Sequence, residues 1–238
     1  VIRQTLADIG LLDLQTGALQ SQNKRKRPVV IAGGAITFIN PAILKPIADL
    51  VVCGDIENII SEIIDLIIQI KSGVSLEVIK GKYRFIYTEF GNYRVNISPK
   101  IEAYSTIISE QSAFPNTFLI ELNRGRPNKC AFCNTGHSRG NLRFFDSDNF
   151  GEFIPILKNY DIFNLGFVGS AVLLYPGLYE MLENLLSQKF RFSFSSINLN
   201  QINERFIDIL KSANQNTITL APEVGNSKMQ KLINKIYD

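Results

Sequence analysis

Apolar residues along this chain fall in short continuous runs that end in glycine or proline. Between them lie longer stretches where apolar positions recur every three or four residues. The first half begins with Ile2, Leu6 and Ile9 spaced for a helix that Gly10 stops. Residues 29–32, Val-Val-Ile-Ala, end in Gly33-Gly34 and read as a doubly buried parallel strand. Asn40-Pro41 opens a short helical segment over 42–48, and residues 49–53 form the next apolar strand, ending in Gly54-Asp55. Asp55 is placed to cap a helix whose Ile60, Ile63, Ile64 and Ile67 share one stripe. Alternating Tyr83, Phe85 and Tyr87 predict a small β excursion near 74–98.

From residue 118 the pattern becomes repeated strand–helix units. Strands are expected at 118–122, 165–168, 192–196 and 217–220. Helices follow them: Leu178, Met181, Leu182, Leu185 and Leu186 make one apolar stripe, Ile202, Phe206, Ile209 and Leu210 another, and a last helix covers 227–236. The fold expected is α/β: a partial parallel sheet over 1–98, then an open arc of parallel strands over 99–238. In such arcs the chemistry sits at the C-terminal strand ends. Cys130, Cys133, Gly169, Ser196 and Glu223 all fall there and are expected to line one cleft.

Composition narrows the class. Of 238 residues, 45% are hydrophobic and 20% charged, as in a soluble globular protein. A formal net charge of +3 does not indicate nucleic acid or an anionic membrane as partner, and Lys24-Arg25-Lys26-Arg27 reads as a solvated loop. The apolar segment 59–70 is interrupted by Ser61, Glu62, Asp65 and Gln69, so no run of about 20 apolar residues marks a membrane span. There is no signal peptide, and three cysteines do not make a disulfide framework; a reducing, cytoplasmic setting is expected. A start at Val1 is read as a fragment, with both ends truncated.

The candidate chemistry is the loop after the strand at 118–122. It carries Cys130 and Cys133 with Phe132 between them. The pair is open to three readings: a thioredoxin-like redox motif, half a zinc site with His137 adding a ligand, or ligation of a metal cluster. Cys53 ends a strand in the other unit and is expected to be buried and inert.

The loop resembles the cluster loop of radical S-adenosylmethionine (radical SAM) enzymes. There a strand ends in Arg-Gly-Cys and continues as Cys-x-x-x-Cys-x-aromatic-Cys. Arg124-Gly125, Pro127, Cys130, Phe132 and Cys133 match, while Arg126 stands at the first cysteine. The resemblance implies a four-iron–four-sulfur (4Fe-4S) cluster held by cysteines, S-adenosylmethionine on the free iron, and an electron donor. The reaction implied is reductive cleavage to a 5′-deoxyadenosyl radical acting on an unknown substrate. It further implies that Phe132 lies near the adenine, Gly169-Ser170 near the SAM amino group, and Ser195, Ser196 and Glu223 near the ribose or aminocarboxypropyl group. Arg139 and Arg143 would neutralise the carboxylate or the cluster. A cationic guanidinium in place of a thiolate removes one bond to iron and adds repulsion. The alternative is therefore a catalytically inactive member serving as a SAM-binding or interaction module. Residues 1–98 resemble the latter half of a flavodoxin-like, cobalamin-binding-type domain, with Gly54-Asp55-Ile56-Glu57 matching one of its turns. No histidine precedes His137, so cobalamin is not supported. The endings Phe167-Val168-Gly169-Ser170, Ser195-Ser196 and Ala221-Pro222-Glu223 resemble those of an uncharacterised archaeal and bacterial group within the superfamily.

Overall fold

The computed structural model describes residues 2–20, 27–195, 197–215 and 217–237. Lys24, Arg25 and Lys26 of the basic run therefore lie outside the described residues, as does Ser196. The chain divides into two compact units, Val1–Ser98 and Pro99–Asp238. No helix among the described residues is long and apolar enough to cross a membrane.

The first unit starts with helix α1 (Ile2–Asp8) and an antiparallel pair, β1 (Leu12–Asp13) and β2 (Ala18–Leu19). Its centre is a parallel pair, β3 (Ile31–Ala32) and β4 (Leu50–Val51), with Ile31 opposite Leu50. A 3-10 helix, Pro41–Ile47, crosses between them, with the Asn40 side chain accepting from the Ala42 amide at its start. Asp49 fixes the entrance to β4. Both its oxygens take Arg27 guanidinium bonds at 2.7 Å, and Oδ2 also accepts from the Val30 amide at 2.8 Å. The two side chains are only 8% and 10% exposed. Burial pushes the Asp49 carboxyl upward, but Arg27 and the Val30 amide outweigh it, and the net direction is down. Its stabilising contribution is thus present above about pH 4, the unfolded value, and is lost as pH falls through the lower folded value. Asp49→Asn leaves a buried guanidinium unpaired and is expected to cost about 3 kcal/mol, read as a lower denaturant midpoint for this unit.

Helix α2 (Ile60–Lys71) corrects the expected stripe. Ile63 and Leu66 are buried, with Ile59 just before the helix, whereas Ile60, Ile64 and Ile67 are 47%, 53% and 38% exposed. Isoleucine occupies so many positions here that periodicity cannot choose the face; packing on β4 chooses it. Asp55 does not cap α2 either. It is buried, and its Oδ2 accepts from the Ser98 amide at 3.1 Å. The β excursion expected near 74–98 is replaced by helix α3 (Leu76–Lys82), whose start is capped by Ser75, and by an irregular return. That return meets the sheet only at isolated bridges, Val52 with Ile86 and Gly54 with Asn96. Cys53 is fully buried in this unit, and burial pushes its thiol up to about 11.

The second unit is built on a four-stranded sheet in the order β6-β5-β7-β8. β5 (Thr117–Arg124), β7 (Asn164–Gly169) and β8 (Arg191–Phe194) are parallel, and β6 (Arg143–Phe144) pairs antiparallel with β5 at the opposite edge. Phe118, Ile120, Leu122, Leu165, Phe167 and Phe192 supply the sheet's share of one core. Helices α5 (Ser147–Asn159), α6 (Leu178–Ser187) and α7 (Glu204–Ser212) add Leu157, Leu182 and Phe206 among others, and connecting segments add residues such as Ile101 and Phe190. Phe167 gathers Phe150, Phe192 and Phe194 around it at 6.2, 6.1 and 5.7 Å between ring centroids. The strand expected at 217–220 is corrected to a single parallel bridge, Ile197 with Leu220. Ile218 and Leu220 are 39% and 37% exposed, so this edge lacks the burial that would extend the ladder.

Candidate functional site at the strand ends

The C-terminal ends of β5, β7 and β8 are cross-linked by small polar side chains before any ligand chemistry enters. Asn123, 1% exposed, turns its Oδ1 to the Ala171 amide at 2.9 Å and to the Ser170 hydroxyl at 3.3 Å. Ser170 also donates to the Gly125 carbonyl. Ser195 donates to the Gly169 carbonyl at 3.0 Å, and the Gly169 amide lies 3.2 Å from the same hydroxyl. Gly169 must stay a glycine, because a Cβ there would sit 2.7 Å from Asn123 Oδ1. Asn123 is not among the residues expected from sequence. It is a polar residue at the end of an apolar strand, and that position is its only signal.

The loop after β5 leaves through Gly125, at φ +85, where a Cβ would lie 2.3 Å from the Asn141 carbonyl oxygen. Cys130 and Cys133 follow in one tight turn, closed by a bond from the Cys133 amide to the Cys130 carbonyl at 3.0 Å. Cys130 is 3% exposed and Cys133 half-buried; both are free thiols. The short helix α4 (Asn134–Ser138) begins directly after them. His137 Nε2 lies 3.1 Å from the Cys130 carbonyl oxygen, so a backbone group engages one of its two ring nitrogens.

The chain's last described turn packs on this loop. After helix α8 (Ser227–Leu232), the Ile233 carbonyl accepts from the Ala131 amide at 2.9 Å, and Asn234 Nδ2 donates to the Lys129 carbonyl at 2.9 Å. Lys235 then reaches Glu223 at 3.0 Å and lies 5.8 Å over the Phe132 ring. Glu223 itself sits at φ +65.

These pieces enclose a cavity of about 140 Å3, lined among others by Arg126, Cys130, Phe132, Cys133, Ser170, Glu223 and Lys235. Gly169 stands one residue behind this wall, and Ser196 lies outside the described residues. Arg139 and Arg143 do not line it; Arg143 donates to the Arg139 carbonyl at 3.1 Å. Arg126 does line it, and its Nε is buried without a hydrogen-bond partner among the described residues. The cavity therefore offers two thiols and a guanidinium where the cluster motif has three thiols. A guanidinium has five donors and no acceptor, so it cannot ligate iron. Among the described residues no group of three Cys, His, Asp or Glu side chains is assembled to hold a metal. The residues present do not fit a cluster held by three thiolates.

Two family models match the chain: "Radical SAM proteins, N-terminal" over residues 9–82 and "Radical SAM superfamily" over residues 120–238. An uncharacterized protein of Methanocaldococcus jannaschii is 24% identical over 213 residues, covering 87% of this chain and 45% of the relative. The chain thus spans less than half the length of the curated relative it matches. With the superfamily match running through half of the chain, from β5 and the cysteine loop to the C-terminus, this protein belongs to the radical SAM superfamily.

Proposed function

We propose that the strand-end cavity is the SAM-binding end of a radical SAM protein, and that this chain keeps the site without keeping a complete cluster ligand set. One observation carries the reading: Arg126 lines the same cavity as Cys130 and Cys133. Phe132, 55% exposed at the rim, offers a face to an adenine, and Ser170 and Glu223 offer oxygens to hydroxyl or amino groups. Gly169 acts through its tight approach to Asn123 and not as a free backbone group, since Ser195 already engages it. In the family the cluster supplies the electron for reductive cleavage of SAM; this chain's two thiols support only partial iron binding.

The second unit is proposed as part of a radical SAM (βα) barrel, on the grounds of its parallel β5-β7-β8 order and the site at the strand ends. The first is proposed as the latter part of a flavodoxin-like, cobalamin-binding-type sheet, supported by parallel β3 and β4 with Gly33-Gly34 and Gly54-Asp55 at their ends. No cobalamin ligand is assigned to it.

Equilibrium dialysis with labelled S-adenosylmethionine, alongside iron analysis after anaerobic iron–sulfide reconstitution, tests the reading. Saturable SAM binding with substoichiometric, chelator-labile iron is expected. A full cluster's iron held stably by the unaltered chain would overturn the ligand-set argument. Absence of SAM binding would overturn the site assignment.

A further inference from the structure

A second concave site lies wholly within the first unit, far in sequence from the cysteine loop. After α3 the chain runs out through Tyr83-Arg84, turns at Thr88 to Gly91, and returns through Tyr93-Arg94. The Arg94 amide bonds the Arg84 carbonyl at 2.6 Å, so the two arms run side by side and bring both arginines to one edge. Gly91, at φ +75, makes the tip, with its amide 3.3 Å from the Thr88 carbonyl oxygen. The groove beside them has a volume of about 600 Å3, within the about 300–1,000 Å3 of small-molecule sites.

Its lining is one-sided in charge. Lys80, Arg84 and Arg94 face it, and no carboxylate does. Glu89, the acid within this segment, is paired with Lys45 instead. Glu77 stands 4.0 Å from Lys80 and is itself largely exposed, while Arg84 and Arg94 make no ion pair among the described residues. Aromatic surface accompanies the charge. Phe90 is 90% exposed at the tip, and Tyr93 is held edge-on to Tyr87 at 4.9 Å between centroids. The Thr88 hydroxyl, also in the lining, is buried and has no partner among the described residues.

Two converging guanidinium groups with no ion pair among the described residues select an anion with several acceptor oxygens, and such pairs suit phosphate. An almost fully exposed ring beside them suits a π-face. We infer that this groove binds a nucleotide unit, its phosphate between Arg84 and Arg94 and its base stacked on Phe90. The whole-chain charge of +3 conceals the site, because its cations are dispersed in sequence and offset by carboxylates elsewhere in the chain.

The unit's chemistry is shared by free nucleotides and single-stranded nucleic acid, and fluorescence anisotropy separates them. The probe is a labelled oligouridylate of about 12 nucleotides, within the ~4–16 of single-strand sites, with ATP as competitor. Binding that ATP displaces at comparable concentration assigns a free nucleotide; binding that ATP displaces only weakly assigns a strand. Either supports the groove if Phe90→Ala weakens it by about 5- to 150-fold, the range of one lost stack, and Phe90→Tyr retains it. The double variant Arg84→Ala/Arg94→Ala should flatten the salt dependence by about 1.4 in log–log slope for a strand. Lys211→Ala, at an exposed cation of the other unit, should change nothing. The inference fails if neither probe binds, if the groove variants bind like the unaltered chain, or if only phosphatidylserine vesicles bind.

Discussion

Arg126→Cys is expected to raise iron retained after reconstitution from a labile, substoichiometric amount to a full cluster, and to bring reductive SAM cleavage with it. The substitution places a third thiol in the cavity that already holds Cys130 and Cys133. It also removes a cationic group whose Nε is buried without a partner among the described residues. Losing an outer-shell partner of a metal ligand alone costs about 10- to 100-fold in affinity, so a direct ligand is expected to change iron retention by at least about 100-fold. Iron per chain, resistance to chelator and 5′-deoxyadenosine formation are the readouts. Arg126→Met separates the two effects: it removes the charge without supplying a thiolate, and should leave iron labile. Should the methionine variant equal the cysteine variant, charge repulsion and not the number of thiolates would be what keeps iron labile.

Gly125→Ala is expected to destabilise the second unit by about 3 kcal/mol or more and to disorder the cysteine loop. The left-handed conformation at φ +85 costs a non-glycine residue about 1–2 kcal/mol on its own. The larger part comes from the Cβ, which would lie 2.3 Å from the Asn141 carbonyl oxygen, backbone that no rotamer change can move aside. Gly151→Ala supplies the contrast. It lies within α5 with nothing in 4 Å of the added carbon, and the gain in helix propensity, about 1 kcal/mol, should make it neutral or stabilising. Denaturant midpoints for the two variants, with SAM binding measured beside them, check both. Equal stability of the two variants would show that the loop adjusts to the collision.

Several elements were legible from local pattern because their burial leaves little choice. β5 and β7 read as strands because each carries a short apolar run that ends at turn residues, and α6 and α7 read correctly because their buried positions, Leu178, Leu182 and Leu185, then Phe206, Ile209 and Leu210, keep the three- and four-residue spacing of one helix face. The cysteine loop was legible as chemistry, since Cys130, Phe132 and Cys133 stand at a strand end in a family spacing. Other features depended on distant partners. The buried face of α2 is set by β4, because its isoleucines satisfy more than one stripe. The segment 217–220 has strand residues but only one bridge, since a ladder needs a covered neighbour as well as propensity. Asp55 is a plausible cap by position, yet Ser98, 43 residues away, takes its carboxylate.

Residue type and spacing were enough for the α/β class, strands β5, β7 and β8, helices α6 and α7, the family, and the two-thiol loop with Arg126 at the place of the first cysteine. Those properties are local. Long-range folding was needed to bring Arg126 into a cavity of about 140 Å3 with both cysteines, to fasten β5 to the end of β7 through Asn123, and to close Lys235 over Phe132 and Glu223. It also sets Arg84 and Arg94 on one edge. Each of these is a meeting of residues from separate segments, and the energy that selects it comes from packing and hydrogen bonding across the fold, which no window of sequence contains.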